Sequence, residues 1–447
     1  MKIKTILFLI LYPAIIYSQV SDNAKLTLDS CIQIAMQNHR DLRVIEEEDV
    51  ISYADYRISN AQRLPSLSLG ITTKEIKDEG LDSGELPIPG KDSKYGVVAG
   101  LTFTYDIYKP GRSESIRISQ KNMEKNAIEN NVKKNGIKLS VKKAYYNYIL
   151  AYESNRLMDL SFKRYSRILR KITIESQAGL VGPVQMSDWQ IKMSSVELDY
   201  EDSVQNLESA RTDLFLAMGL EVDNKTSIEV ALLDSVPELI INENQLVRYA
   251  QDHSPSIKMA NIATEVARNS YLISRSKRYP SITLFSTLGY ENSEFLNSEM
   301  GVVERTTDTD NWSPSWTGGV RASMPIYTGG SLPASIDKAE SGYKKTQYSK
   351  TSTELDVKMS VKKLFSRLVF LKKQIKISKA GVINAQTNLR INERSYESGL
   401  VGQDAISDAS ENLYAAEISL LKNKIDFMIS LTELSNIVGI HEELICR

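Results

Sequence analysis

Gly179-Leu180-Val181-Gly182 recurs far downstream as Gly399-Leu400-Val401-Gly402, and each copy is followed at one fixed distance by a serine-aspartate pair, Ser187-Asp188 and Ser407-Asp408. Each turn interrupts a long helical pattern. An identical turn with an identical downstream pair points to a duplicated chain. Outlying residues extend the match: Arg63-Leu64-Pro65-Ser66 answers Arg278-Tyr279-Pro280-Ser281, Ile107-Tyr108 answers Ile326-Tyr327, Gly111 answers Gly330, and Leu214 with Gly219 answers Leu434 with Gly439. Length differences between the halves fall in loops, where they are tolerated.

Both halves run in one order. From about Thr27 to Gln62, Ile32, Ala35, Met36, Leu42 and Ile45 recur at helical spacing, with a bend expected near Asn38 and Asp41. Pro65 ends this helix because it lacks the donor that a helix interior requires. Alternation follows in Leu67, Leu69 and Ile71 against Ser66, Ser68, Gly70 and Thr72, and after a polar loop around Lys74 to Lys94 it resumes in Val97, Ala99, Leu101, Phe103 and Tyr105. Two strands of ~10 residues, each apolar on one face, fit a transmembrane hairpin, and equally a half-buried hairpin in a soluble sheet. Tyr108-Lys109-Pro110-Gly111 turns the chain into a helix from about Ser113 to Gln177. At about 1.5 Å per residue it reaches ~95 Å, far beyond an average globular helix. The first glycine turn closes it, and a return helix runs from about Gln185 to Met218.

The second half repeats this order: a helix from about Asn244 to Pro280, a strand through Ile282, Leu284, Ser286, Leu288 and Tyr290, a polar loop from Glu291 to Asn311, and a strand through Trp316, Gly318, Val320, Ala322, Met324 and Ile326. Gly329-Gly330 leads into a second long helix, from about Pro333 to Ser398, and a return helix ends at Val438-Gly439. The expected organisation is therefore a first repeat over 19–219, a linker over 220–243, a second repeat over 244–440 and a tail over 441–447.

Residues 1–18 read as a cleavable secretory signal: Lys2 and Lys4 precede an apolar run from Ile6 to Tyr17, and small Ser18 stands before Gln19. That run is shorter than the ~20 residues of a spanning helix, so export without a helical anchor is expected, which leaves a barrel open. A net charge of -1, with no basic excess and no basic run with interleaved aromatics, argues against nucleic acid. Cys31 and Cys446 are the only cysteines, and His39, His253 and His441 the only histidines. None is spaced as a metal ligand, so neither metal nor cofactor is expected. Glu46-Glu47-Glu48 reads as a solvated helix face, and no catalytic constellation appears.

Geometry then constrains assembly. The two shorter helices of each half together span about the length of the long one, so stacked end to end they make a layer of uniform height. Four strands cannot close a barrel, for the smallest outer-membrane barrels use about eight, and open edges are excluded from hydrocarbon. Several copies must contribute, and a trimer with ~12 strands is the smallest closed ring wide enough to leave a channel. The fold class is mainly α with β: duplicated long helices forming an α-barrel, and a transmembrane β-barrel completed by trimerisation. Trp312 and Trp316 stand where an aromatic belt at the membrane interface places them, and Arg321 falls on the opposite face of its strand, toward the lumen.

Leu64-Pro65-Ser66-Leu67-Ser68-Leu69, Tyr279-Pro280-Ser281-Ile282 and Met324-Pro325-Ile326-Tyr327-Thr328-Gly329-Gly330, in this order around the paired turns, are where the chain resembles the TolC-like outer-membrane efflux ducts. The resemblance covers nearly the whole mature length. It implies a homotrimer in outer-membrane lipid, a helical tunnel in the periplasm, a periplasmic adaptor protein and an inner-membrane pump that supplies the energy. It assigns Gly179, Leu180, Val181, Gly182, Gly399, Leu400, Val401 and Gly402 to adaptor docking at the periplasmic tip. The residues alone also allow these glycines simply to cap two helices. Asp408 matches one of the family's gate aspartates, Asp404 lies one helical turn from it, and Tyr396 matches a tyrosine that holds the closed tip. The arginine expected at Val401 is missing, which leaves Asp188 without its family partner. The competing reading is a periplasmic coiled-coil scaffold with no channel activity.

Overall fold

The structure, a computed structural model, describes residues 26–77, 93–221, 228, 235–299, 302–305 and 312–446. The signal segment and part of the linker lie outside them. The helices are α1 (Leu28–Asn38), α2 (Arg40–Ala61), α3 (Arg112–Gln177), α4 (Pro183–Ala217), α5 (Glu243–His253), α6 (Pro255–Ser276), α7 (Ser331–Glu397), α8 (Gln403–Val438) and α9 (Glu442–Ile445). The strands are β1 (Ser66–Lys77), β2 (Ser93–Tyr108), β3 (Ser281–Glu299), β4 (Val302–Arg305) and β5 (Trp312–Ser323). The long helices α3 and α7 have 66 and 67 residues. None of the described helices is long and apolar enough to cross a membrane.

Two compact units divide the chain. One takes the residues through Ile45, Asn131–Ser254 and those from Lys358 onward; the other takes Glu46–Asn130 and Pro255–Val357. In the first, Cys31, Ala35, Leu42 and Ile45 are buried against Val141, Tyr145, Ile149, Leu214, Phe215 and Met218. Burial pushes the Cys31 thiol up to about 12, so it stays protonated and unreactive. Both Cys31 and Cys446 are free thiols. Helix α3 pairs with α4 through Asn155 and Ser203 (3.0 Å) and with α8 through Ser154 and Tyr414 (2.7 Å). Helix α8 pairs with α7 through Asn423 and Ser378 (2.9 Å). Lys142 meets Glu442 at 2.6 Å and the Ile240 amide donates to the Ile445 carbonyl, which ties the C-terminal helix α9 to this unit.

The bend expected near Asn38 is a break at His39, whose backbone is extended. The second half carries the same break at Ser254, where the sequence reading ran one helix from Asn244 to Pro280. Pro255, which cannot donate to the preceding turn, explains it. Helix α6 stops at Ser276 and α2 at Ala61, each several residues before its proline, because residues 62–64 and 277–279 form a turn closed by Leu64 and Tyr279 amides.

The second unit holds the sheet. Strand β2 pairs antiparallel with β1 and β3, and β3 pairs on its other edge with both β5 and β4. The sheet thus has four ladder positions, the fourth split into two strands. Strands reach Lys77 and Glu299, beyond the ends read from alternation, because ladder bonds use backbone groups and continue where side chains turn polar. Register aligns the faces across all four positions. Leu69, Leu101, Leu288 and Trp316 share one row, Ile71, Ala99, Tyr290 and Pro314 the next, and Leu67 with Phe103 the one on the other side. Opposite them lie rows such as Ser68, Thr102, Thr287 and Thr317. Gly318 leaves room for the Trp316 ring on the apolar face, and on the polar face Gly319 lies opposite Phe285.

Gly219 (φ +74°) abuts the His39 break, where an added Cβ would stand 2.9 Å from His39 Cα, whereas Gly179 has the same φ and open space. Gly179→Ala should cost the backbone term alone, about 1 kcal/mol, and Gly219→Ala an overpacking term of about 1–3 kcal/mol more. Thermal melts of the two variants in detergent check this; equal melting temperatures would refute the packing argument.

Candidate functional site at the helical turns

The two glycine turns have one geometry. Gly179 and Gly399 are left-handed, with φ of 74° and 72°. The Leu180 amide donates to the Glu175 carbonyl at 2.9 Å and the Leu400 amide to the Ser395 carbonyl at 2.8 Å. These bonds close the helix C-termini, and only a residue without Cβ takes the required φ at no cost. Gly182 and Gly402 then begin the return helices in extended conformation. Each turn lifts a leucine into solvent: Leu180 and Leu400 are both 78% exposed. Val181 and Val401 are half-buried, Val181 against Tyr165, Ile172 and Trp189.

Around the turns, the hairpin of α3 and α4 is joined to that of α7 and α8 by polar contacts that sequence reading did not find. Lys171 Nζ donates to Tyr396 Oη at 2.6 Å, and this bond raises the lysine pKa above its ordinary value, so the cation persists. Lys192 pairs with Asp404 and lies over the Trp189 ring, 4.7 Å from its centre. Tyr165 Oη donates to Glu411 at 2.7 Å and meets Ser407, while Arg164 meets Ser410. Burial pushes the Tyr165 phenol up to about 12, so it remains a neutral donor. The available signal was the basic cluster Lys163, Arg164, Arg167, Arg170 and Lys171, of which Arg164 and Lys171 have partners remote in sequence.

The aspartates separate by environment. Asp404 has a cation at its carboxylate, whereas exposed Asp408 and Asp188 have no ion-pair partner among the described residues. Tyr396 packs against Leu389, Ile406 and Ala409. Trp316, distant in sequence from the turns, is 69% exposed and donates its indole N–H to Ser286 at 3.2 Å; Trp312 opens the same strand on the same face. Groups able to hold a metal ion are absent among the described residues.

Comparison with known proteins places this architecture. The outer membrane protein TolC of Vibrio cholerae serotype O1 is 22% identical over 345 residues, 76% of each chain. A solvent efflux pump outer membrane protein, SrpC of Pseudomonas putida, is 22% identical over 427 residues, covering 91% of this chain and 84% of the relative. The CmeC outer membrane channel of Campylobacter jejuni superposes with a TM-score of 0.77 at 15% identity, over 92% of this chain and 85% of that one. The family model described as outer membrane efflux protein matches residues 31–220 and 246–440. Its two matched segments span both helical halves, and the chain therefore belongs to the outer membrane efflux proteins, a family of outer-membrane channels and not a class of enzymes.

Proposed function

We propose that this chain forms a homotrimeric exit duct that spans the outer membrane as a β-barrel, extends a helical tunnel into the periplasm, and passively conducts cargo delivered by an inner-membrane pump through a periplasmic adaptor. The observation that carries this reading is the sheet. One whole face is apolar and uncovered, with Leu67, Leu69, Ile71, Trp316 and Val320 all more than 60% exposed. A water-facing sheet would bury such a face or break it with charge. From Ile282 to Tyr290 the apolar rows of β3 run over nine residues, about 26 Å along the strand, within the roughly 9–11 residues of a tilted strand that crosses a hydrocarbon core. Tyr108, Tyr279 and Tyr327 are exposed beside the helical end of the band and Trp312 stands at the other, as an aromatic belt requires.

The outer edges of β1 and β5 have no strand partner among the described residues, and three copies would pair them into ~12 strands. The helices carry a matching signal. Val184, Ile191 and Leu198 on α4 stand seven residues apart and are exposed, as are Phe370, Ile377 and Ile391 on α7 at the same or twice that spacing. Such stripes are seams that another copy's helices cover. Gel mobility with and without heating, and conductance in planar bilayers, test the assembly. A heat-modifiable trimer that conducts is expected; a soluble, non-conducting monomer would return the chain to the scaffold reading.

Within this duct we assign the tip lock to Lys171 with Tyr396 and to Lys192 with Asp404, in place of the family arginine missing at Val401. Each is an exposed contact, so removing either lysine should shift the open-to-closed ratio only about 1.5- to 5-fold, read as single-channel open probability of Lys171→Ala and Lys192→Ala. Unpaired Asp408 then supplies the carboxylate ring that attracts cations. Asp408→Asn should reduce cation preference in a salt gradient more than Asp404→Asn does, because Lys192 already offsets Asp404. The reverse order would contradict this assignment. Leu180 and Leu400, the most protruding groups of the turns, are proposed as adaptor contacts together with Gly179, Val181, Gly182, Gly399, Val401 and Gly402. Crosslinking from Val181→Cys and Val401→Cys should capture an adaptor at both turns; no capture at either would remove the docking role.

A further inference from the structure

The polar face of the sheet contains one group that neither packing nor pairing explains. In the four rows from Asp106–Thr283–Arg321 to Gly70–Gly100–Gly289–Ser315, the other side chains are serine, threonine or glycine, save Phe285. Phe285 lies opposite Gly319, and a Cβ added to that glycine would meet the ring in ordinary van der Waals contact, at 3.6 Å. Arg321, two residues on, extends its guanidinium over the same ring, 5.0 Å from its centre. Asp106, the one carboxylate of these rows, is engaged elsewhere: it accepts from Thr283 Oγ1 at 2.8 Å and meets Lys109 at 3.7 Å. Arg321 has no carboxylate at ion-pair distance among the described residues and is exposed.

A ring that supports a guanidinium, and a guanidinium with no ion-pair partner among the described residues, form a prepared planar cation. The ring's quadrupole attracts the cation, and the exposed side chain keeps its N–H donors accessible. The guanidinium edge matches the two oxygens of a carboxylate or sulfonate, and its plane matches an aromatic one. We propose that Arg321 on Phe285 is a binding site for aromatic anions, which selects cargo at the helical end of the sheet. The site rests on the duct reading above, in which the polar face lines the lumen and three copies present three such cations. Its sign is opposite to that of Asp408, so the proposed duct carries rings of both charges.

Block of single-channel current by naphthalene-1,5-disulfonate in planar bilayers tests the site, with sulfate as an anion that lacks the plane. For the unaltered protein, disulfonate should block at concentrations about tenfold lower than sulfate does. Arg321→Gln should weaken disulfonate block about tenfold. Arg321→Lys, which keeps the charge and loses the plane, should bring disulfonate and sulfate block close together. Phe285→Leu should act like Arg321→Lys, and serves as the second route should Arg321→Gln fail to give a heat-modifiable trimer. Disulfonate block that is absent in the unaltered channel, or unchanged in Arg321→Gln and Phe285→Leu, would overturn the site while leaving the duct intact. Absence of any conductance from the unaltered protein would instead overturn the duct reading beneath it.

Discussion

A β-sheet can face hydrocarbon only if every backbone donor and acceptor is paired, since each orphan costs several kcal/mol where no water is present. This chain supplies four ladder positions with one apolar face and two open edges, which is too few to curl shut. The exposed face and the open edges are therefore one problem, and the proposed trimer answers both together. The seven-residue stripes on α4 and α7 pose the same demand in helical form, because a seam of exposed isoleucine, leucine and phenylalanine is stable only against another helix. Duplication suits the proposed trimer: two similar halves bring hairpin, long helix and return helix twice into each copy.

Such a design needs stiffness in some places and weakness in others. Stiffness comes from the buried cluster around Tyr145, Phe215 and Met218, where α1 and the start of α2 pack on α3 and α4, and from Gly219, which lets backbone approach backbone at the His39 break. Weakness lies at the turns. There the hairpins are joined by contacts of exposed lysines and by a few hydroxyls, which together give modest free energy in water. A gate assembled from weak contacts can be biased by a docked partner, whereas a gate sealed by a packed core could not. Lys192 illustrates the economy: one cation holds the hairpins together, rests on Trp189 and offsets Asp404, which leaves Asp408 as the uncompensated charge.

The order of elements was legible in the sequence because the signals are local. Glycines at 179 and 399 take left-handed φ, apolar residues alternate in β1 and β5, and no proline interrupts α3 or, past its first turn, α7. The break at Ser254–Pro255 is also local, set by a proline, although helical spacing continues across it. The strand ends beyond Thr72 and Tyr290 were not legible, since backbone pairing there continues under polar side chains. The same separation runs through the site. Tyr396, Asp404 and Asp408 stood out by position, but the partners Lys171 and Lys192 lie more than two hundred residues away in the chain, and no periodicity links them.

By itself, then, the sequence determined the duplication, the helix and strand order, the capped turns and the alternation that makes one face of the sheet apolar. Those properties follow from dihedral preference and from side-chain period, which act over a few residues. Tertiary structure decided which lysine meets which acceptor, that Asp404 is compensated and Asp408 is not, and that Arg321 rests on Phe285 opposite Gly319. Charge compensation and stacking depend on distances of a few ångströms between residues from different strands and helices, and those distances exist only once register and helix packing have been set.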